Sequence, residues 1–323
     1  MASRQLKKRF FGLACVCFSF VLVAHLLLRI DLNRAAMILQ RANWAWLAAA
    51  LAATCCIPFC TVFRWIGVLR AQENLKFGYT SALRAVLMAN VLNSFLPSKA
   101  GDGAKAVYLR KQGGLSRGIG TVILERAVDF SILGVLGILG YFISGAVWGL
   151  WTGAVLLGSM MALFGCMLFL PFHKLPLPPK VHEKLKALLG VFKSWVKKPG
   201  AVLQTVVGSL CSWSIAGFLV CCLASALNTG LSWGYAYGVF PLAILAGLVP
   251  VTLSGIGTRD SAFVLLLASK MPMEEATLVG LGYTLFAYWL LSLISLPVVL
   301  WEITAFFRND KPKEERDDPA TGK

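Results

Sequence analysis

Long apolar runs separated by short basic segments dominate the chain. A helix rises 1.5 Å per residue and needs about 20 predominantly apolar residues to cross the hydrocarbon of a bilayer. Residues 10–30, 44–63, 127–147, 150–170, 201–223 and 277–303 meet that length, which predicts six transmembrane helices. Two further apolar stretches, 79–110 and 235–270, are interrupted. Asn90, Asn93 and Pro97 break the first; Pro241, Pro250, Gly255 and Gly257 break the second. Irregular backbone at membrane depth is tolerated where it is buried in protein or lines a wet cavity. Each stretch is therefore expected to be a re-entrant broken helical hairpin that enters and leaves on one face.

Composition agrees with lipid as the solvent. Hydrophobic residues make up 58% of the 323 residues and charged residues 14%, and the mean hydropathy is +0.72. A soluble domain averages about 45–50% apolar and about 25% charged. The net charge of +16 lies in short segments between apolar blocks, so it sets orientation and excludes a nucleic-acid partner as the reason for the basicity. With the predicted spans, 25 of the 31 Lys and Arg fall on one side and 5 on the other, with Arg84 inside the first broken stretch. The positive-inside rule then places both termini on the cytoplasmic side of a cell inner (plasma) membrane. The apolar run from Phe10 is longer than a signal-peptide core and no small-x-small cleavage site follows it, so it reads as a retained first span.

The basic loop 172–200 carries Leu185, Leu188, Leu189, Phe192 and Trp195 at helical spacing, and is expected to be an amphipathic helix on the inner leaflet. The tail 308–323 is charged and expected to be disordered. All nine cysteines lie within apolar runs and read as small hydrophobes, and no metal or cofactor site is expected.

The apolar map repeats. Residues 1–148 and 149–307 each contain two spans, a broken hairpin and a third span. Three crossings is an odd number, so the second repeat is expected to run inverted, an arrangement common in transporters, with the two broken segments meeting between the halves. The breaks share local sequence. Pro97 is followed by Gly101-Asp102-Gly103 and Lys105; Pro250 is followed by Gly255-Ile256-Gly257 and Arg259-Asp260. Pro ends the entering arm, glycine frees the backbone, and the restarting helix offers unpaired N–H groups. A cation at such a start is unfavourable unless an anion binds beside it. Lys105 and Arg259 thus read as two halves of an anion clamp. The alternative is that they pair with Asp102, Asp260, Glu125 or Asp129 and only hold the hairpins. Glu125, Arg126 and Asp129, one turn apart before the third span, also need partners or a task at that depth.

At these residues the chain resembles the flippase-like membrane domain family, also named for the lysylphosphatidylglycerol synthase transmembrane region. The resemblance runs over about residues 10–305. It is carried by Asn90, Asn93, Pro97, Gly101, Asp102 and Lys105, by Glu125-Arg126-x-x-Asp129, and by Pro250 with Ser254-Gly255-Ile256-Gly257-Thr258-Arg259-Asp260. Lys99 and Lys105 stand where the family more often has Arg, and Asp102 and Asp260 where Glu is commoner. About 16 residues follow the last span, so the aminoacyltransferase domain of full-length synthases is not expected.

The resemblance implies an all-α polytopic integral membrane protein that moves an anionic lipid or lipid-linked headgroup, such as a polyprenyl-phosphate, aminoacyl or glycosyl lipid, rather than an enzyme. Lys99, Lys105, Arg126 and Arg259 would contact phosphate. Asp102, Glu125, Asp129 and Asp260 would orient them or exchange protons, and Gly101, Gly103, Gly255 and Gly257 would shape the substrate-binding tips. Two alternatives stand beside it: an accessory subunit that partners a lipid glycosyltransferase or synthase, and an intramembrane lipid phosphatase or transferase.

Overall fold

In the computed structural model, residues 2–309 are described apart from 74, 76, 111–113 and 171–177; the expected disordered tail lies almost wholly outside the described residues. Those residues are predominantly helical, without strands. Five helices are long and apolar enough to cross a membrane, and six if one bent pair counts as a single span. The bent pair is α1 (Ala2–Leu28), taken from Ala14, and α2 (Leu32–Gln40), which meet at 84°. The Asp31 carboxylate makes the corner: it accepts from the Asn33 and Arg34 amides and so starts α2. Asn43 caps α3 (Trp44–Arg70) in the same way, through the Ala45 amide.

The first interrupted segment consists of α4 (Tyr79–Phe95), a 3₁₀ turn at Pro97–Asp102 and the short α5 (Gly103–Tyr108). Next come α6 (Leu115–Ser144), α7 (Val147–Phe169), α8 (Pro179–Val196) and α9 (Pro199–Ala226). The second interrupted segment consists of α10 (Trp233–Leu248), a 3₁₀ turn at Leu253–Gly255 and α11 (Thr258–Leu267). The chain ends in one long helical run, α12 (Met273–Thr284), a π-helical turn at Leu285–Leu290 and α13 (Leu291–Asn309). The two 3₁₀ turns touch, and Ser98 Oγ donates to the Leu248 carbonyl at the end of α10.

Three elements differ from the expectation. The third apolar helix starts at Leu115, twelve residues before 127, so Glu125, Arg126 and Asp129 sit inside it; Thr121, Glu125 and Asp129 are buried against other helices. Polar residues at those positions hid the start because their partners are distant in sequence. The last span contains a π turn, for which its apolar sequence carries no signal. Finally, α8 turns Val191, Phe192 and Trp195 into the protein, against α6 and α9, and Trp195 Nε1 donates to Thr205 Oγ1 at 3.0 Å. Its lysines 184, 186 and 193 remain exposed.

Outward-facing Phe20, Phe142, Val155, Met161 and Leu265 are largely exposed, as side chains are when the surroundings are hydrocarbon. Inside, α6, α7 and α10 approach backbone to backbone. A Cβ on Gly140 would stand 2.3 Å from Gly238 Cα. Small residues permit this in lipid, where association relies on close packing. Gly140→Leu is therefore expected to destabilise the protein by about 1–3 kcal/mol, the usual cost of overpacking. Gly158→Leu, at a site with nothing within 4 Å, should leave the melting temperature in detergent unchanged. Equal melting of the two variants would contradict this packing.

Candidate functional site

The densest polar region lies where α3, α6 and the first interrupted segment meet. Arg64 of α3 is buried and faces two carboxylates of α6. Its Nε donates to Glu125 Oε1 at 2.8 Å, its Nη2 donates to the same oxygen, and its Nη1 donates to Asp129 Oδ1 at 2.6 Å. Asp129 also accepts from Ser209 of α9. From the other side Lys105 Nζ reaches both Glu125 oxygens at 3.0 Å. Arg126 lies 3.0 Å from Asp129 Oδ2 and 3.3 Å from Asp102 Oδ2, and Asn93 Nδ2 donates to Asp102 Oδ1 at 3.1 Å. Three carboxylates thus bind three cations into one network.

A fourth cation joins the region without a carboxylate. Among the described residues Lys99 makes no ion pair, and its ammonium sits 4.8 Å from the centre of the Trp213 ring. Ser98 and Lys99 both have φ of 54°, in the left-handed region. Such backbone costs of order 1–3 kcal/mol per residue and persists where surrounding structure enforces it.

Two cavities meet at this point. One, of about 80 Å³, is lined by Arg64, Asn90, Asn93, Lys99, Asp102, Arg126, Trp213 and Tyr288, among others. The other, of about 390 Å³, lies beyond Lys99 towards Ser98, Val122, Phe130 and Leu248. Lys99, Asp102, Arg126 and Trp213 belong to both walls, so they form the partition between the cavities. Three buried donors on lining residues, Asn90 Nδ2, Arg126 Nε and Trp213 Nε1, have no acceptor among the described residues. The same wall offers acceptors in Asn93 Oδ1 and Asp102 Oδ2.

The second tip has the same local shape with different wiring. Ser254 is left-handed, with φ of 56°, and Gly255 and Gly257 follow with φ of 75° and 85°. Arg259, in the first turn of α11, points inward and is 1% exposed. It donates to the Ser254 carbonyl at 3.2 Å and to Thr284 Oγ1 at 2.6 Å, and its guanidinium lies 4.1 Å from the Tyr288 ring centre. Thr284 in turn donates to Asp260 Oδ1 at 2.5 Å, and the Gly257 amide donates to Asp260 Oδ2 at 2.8 Å.

Of the residues singled out in the sequence, Lys99, Asp102, Lys105, Glu125, Arg126 and Asp129 are brought together, with Gly101 buried beneath them and Gly103 in the wall of the larger cavity. Arg259 and Asp260 form a separate network, and Tyr283 and Tyr288, whose rings lie against the Arg259 guanidinium, line the smaller cavity. Neither Lys105 nor Arg259 lines the partition: each directs its charge to protein groups. Arg64 was overlooked. It follows the apolar run 44–63 and looks like an interfacial anchor, and its partners lie 61 and 65 positions away. The apolar residues that continue from Trp65 to Leu69 are the signal that α3 runs on and buries it.

Comparison with known proteins fits this architecture. The chain is 26% identical over 243 residues to a UPF0104 membrane protein of Methanocaldococcus jannaschii, covering 70% of this chain and 99% of that protein. It is 24% identical over 302 residues to a phosphatidylglycerol lysyltransferase of Staphylococcus xylosus, covering 89% of this chain and 34% of that enzyme. The family model of the lysylphosphatidylglycerol synthase TM region matches residues 10–295, and so takes in both interrupted segments and the whole ion network. On that match the chain is an integral membrane protein belonging to the lysylphosphatidylglycerol synthase TM region family.

Proposed function

We propose that the protein moves a lipid bearing a phosphate headgroup between the two leaflets, with the headgroup held at the partition between the two cavities. The observation that carries this reading is the surplus of donors there. Lys99 has no carboxylate, and Asn90, Arg126 and Trp213 hold buried N–H groups without acceptors. An anionic oxygen cluster satisfies all four, in a setting where an unpaired buried donor costs about 1–3 kcal/mol. Asn93 Oδ1 and Asp102 Oδ2 suit a headgroup that also offers a donor, such as a hydroxyl or amine.

On this reading Lys99 and Arg126 touch phosphate, and Asp102 orients Arg126. Lys105, Glu125, Asp129 and Arg64 hold the wall, while Arg259 and Asp260 fix the second tip. The interrupted segments act as re-entrant hairpins of an inverted repeat whose halves, 1–148 and 149–307, rock about the touching tips. The supports are the two breaks with left-handed serines, their contact, and the two cavities that share Lys99 in their walls. With six crossings in a plasma membrane, both termini face the cytoplasm. Phosphatidylglycerol is the lipid to test first, because it appears in the name of the Staphylococcus xylosus relative.

Orientation is tested by labelling. In a background without native cysteines, Lys186→Cys should react with an impermeant thiol reagent only after the membrane is opened, whereas Asn228→Cys should react in intact cells. The reverse pattern would invert the proposed topology.

Ligand contact is tested by separating Lys99 from Arg64. A lost charge-assisted hydrogen bond is worth about 1.5–3 kcal/mol, so Lys99→Gln should fold normally and retain about ten- to a hundredfold less phosphatidylglycerol by native mass spectrometry. Arg64→Leu takes one buried counter-charge from Glu125 and Asp129, which keep Lys105 and Arg126, and should lose about 3–5 kcal/mol of stability instead. A Lys99→Gln protein that binds and moves phosphatidylglycerol as the parent does would overturn the proposed site.

A further inference from the structure

The smaller cavity is walled by helices joined in two different ways. α3 and α9 pack backbone to backbone: a Cβ on Gly208 would stand 2.8 Å from Arg64 Cα. That seam cannot part without breaking close contacts along its length. The seam between α4 and the last span is built otherwise. Ser94 Oγ and Ser292 Oγ lie 2.5 Å apart, with the Tyr288 carbonyl 3.1 Å from Ser94 Oγ and the Asn90 carbonyl 3.3 Å from Ser292 Oγ, so the two hydroxyl protons are shared among three contacts. Farther along, Arg84 pairs with Glu302 at 3.0 Å over the Trp301 ring, and Tyr108 donates to Glu302 at 3.4 Å. On the outer side Phe95 and Trp289, 56% and 42% exposed, meet edge to face at 6.4 Å.

The last span is irregular at this seam. Its π turn, Leu285–Leu290, carries Ala287 and Tyr288, which with Leu291 of α13 and Asn90 of α4 line the cavity. Single π turns within α-helices recur at functional sites, and here the displaced backbone presents the Tyr288 carbonyl to Ser94. Hydroxyl contacts, a partly exposed ion pair and helix packing that includes the buried Ser295 and Val299 thus close the wall containing Asn90, Lys99 and Arg126 on this side.

We propose that the seam between α4 and the last span is a lateral portal: it parts around the π turn so that the headgroup enters the cavity while the lipid's chains stay in the bilayer. Phe95 and Trp289 are the outer leaves of the portal, and the Arg84–Glu302 pair is its latch. This rests on the phosphate-lipid reading above and adds the route by which the ligand reaches that site.

The Ser94–Ser292 contact allows a reversible lock, since a disulfide needs Cβ atoms about 3.5–4.5 Å apart. In a background without native cysteines, Ser94→Cys with Ser292→Cys is reconstituted into phosphatidylcholine vesicles containing fluorescent phosphatidylglycerol, and leaflet exchange is followed with the bond formed and then reduced. The expected result is exchange in the reduced protein, none in the oxidised protein, and recovery on adding reductant. Equal exchange in both states would overturn the portal and leave the binding site standing. No exchange in either state, from protein that is folded by thermal melting, would remove the reading on which the portal rests. Glu302→Gln gives a second test should the double-cysteine protein fail to fold. Loosening the latch should raise the exchange rate above that of the parent, and a rate no higher counts against the portal.

Discussion

The structure depends on pairing charges that a membrane interior would otherwise reject. Arg64, Lys105 and Arg126 meet Asp102, Glu125 and Asp129 in one network that draws on α3, α5, α6 and the first turn, with Ser209 contributed by α9. Taking any one of these ions out of water alone would cost several kcal/mol, and mutual attraction offsets this only when geometry and extra hydrogen bonds are good. Here Glu125 alone faces three cations. The network therefore sets how these helices pack, because no rearrangement that separates one of them leaves its charge compensated.

That constraint also explains the division of labour between the two tips. Both place serine in the left-handed region ahead of a glycine and a short helix bearing a cation. At the second tip Arg259 spends its donors on the Ser254 carbonyl and Thr284, and Asp260 closes the circuit through Thr284 and the Gly257 amide. At the first tip Lys105 is consumed by Glu125, and the cation left over is Lys99, held over Trp213 by strained backbone where two cavities adjoin. Arg259 there has Asp260 as a counter-charge, although its Nε and Ser254 Oγ lack hydrogen-bond partners among the described residues. Lys99 at the first tip has no carboxylate among them, which is why the proposed anion site is the first.

A second contrast lies in how helices are joined. Glycine contacts between α6, α7 and α10, and between α3 and α9, bring backbones within van der Waals range and resist sliding. Along the α4 seam the two serine hydroxyls and the π turn add polar contacts and irregular backbone to the helix packing. On the proposed function both kinds of joint have a use, one to preserve the charged wall and one to part.

Apolar length and the placement of charge were enough to read the chain as helical and membrane-embedded, to locate the two interruptions, and to single out Asp102, Lys105, Glu125, Arg126, Asp129, Arg259 and Asp260, while Lys99 was singled out by the family resemblance. Those features follow from local chemistry, since a run of about 20 apolar residues has few other stable fates and a Pro with nearby glycines breaks a helix wherever it falls. Long-range packing supplied the rest. It extended α6 back to Leu115 by giving Thr121 and Glu125 buried partners, and it drew Arg64 from an apparent interface position into the centre of the network. It also turned Lys105 and Arg259 towards the protein, left Lys99 as the unpaired cation, and put a π turn beside the serine seam. Each of these depends on groups tens to hundreds of positions apart, and a charge reveals its role only when its counter-charge is in place.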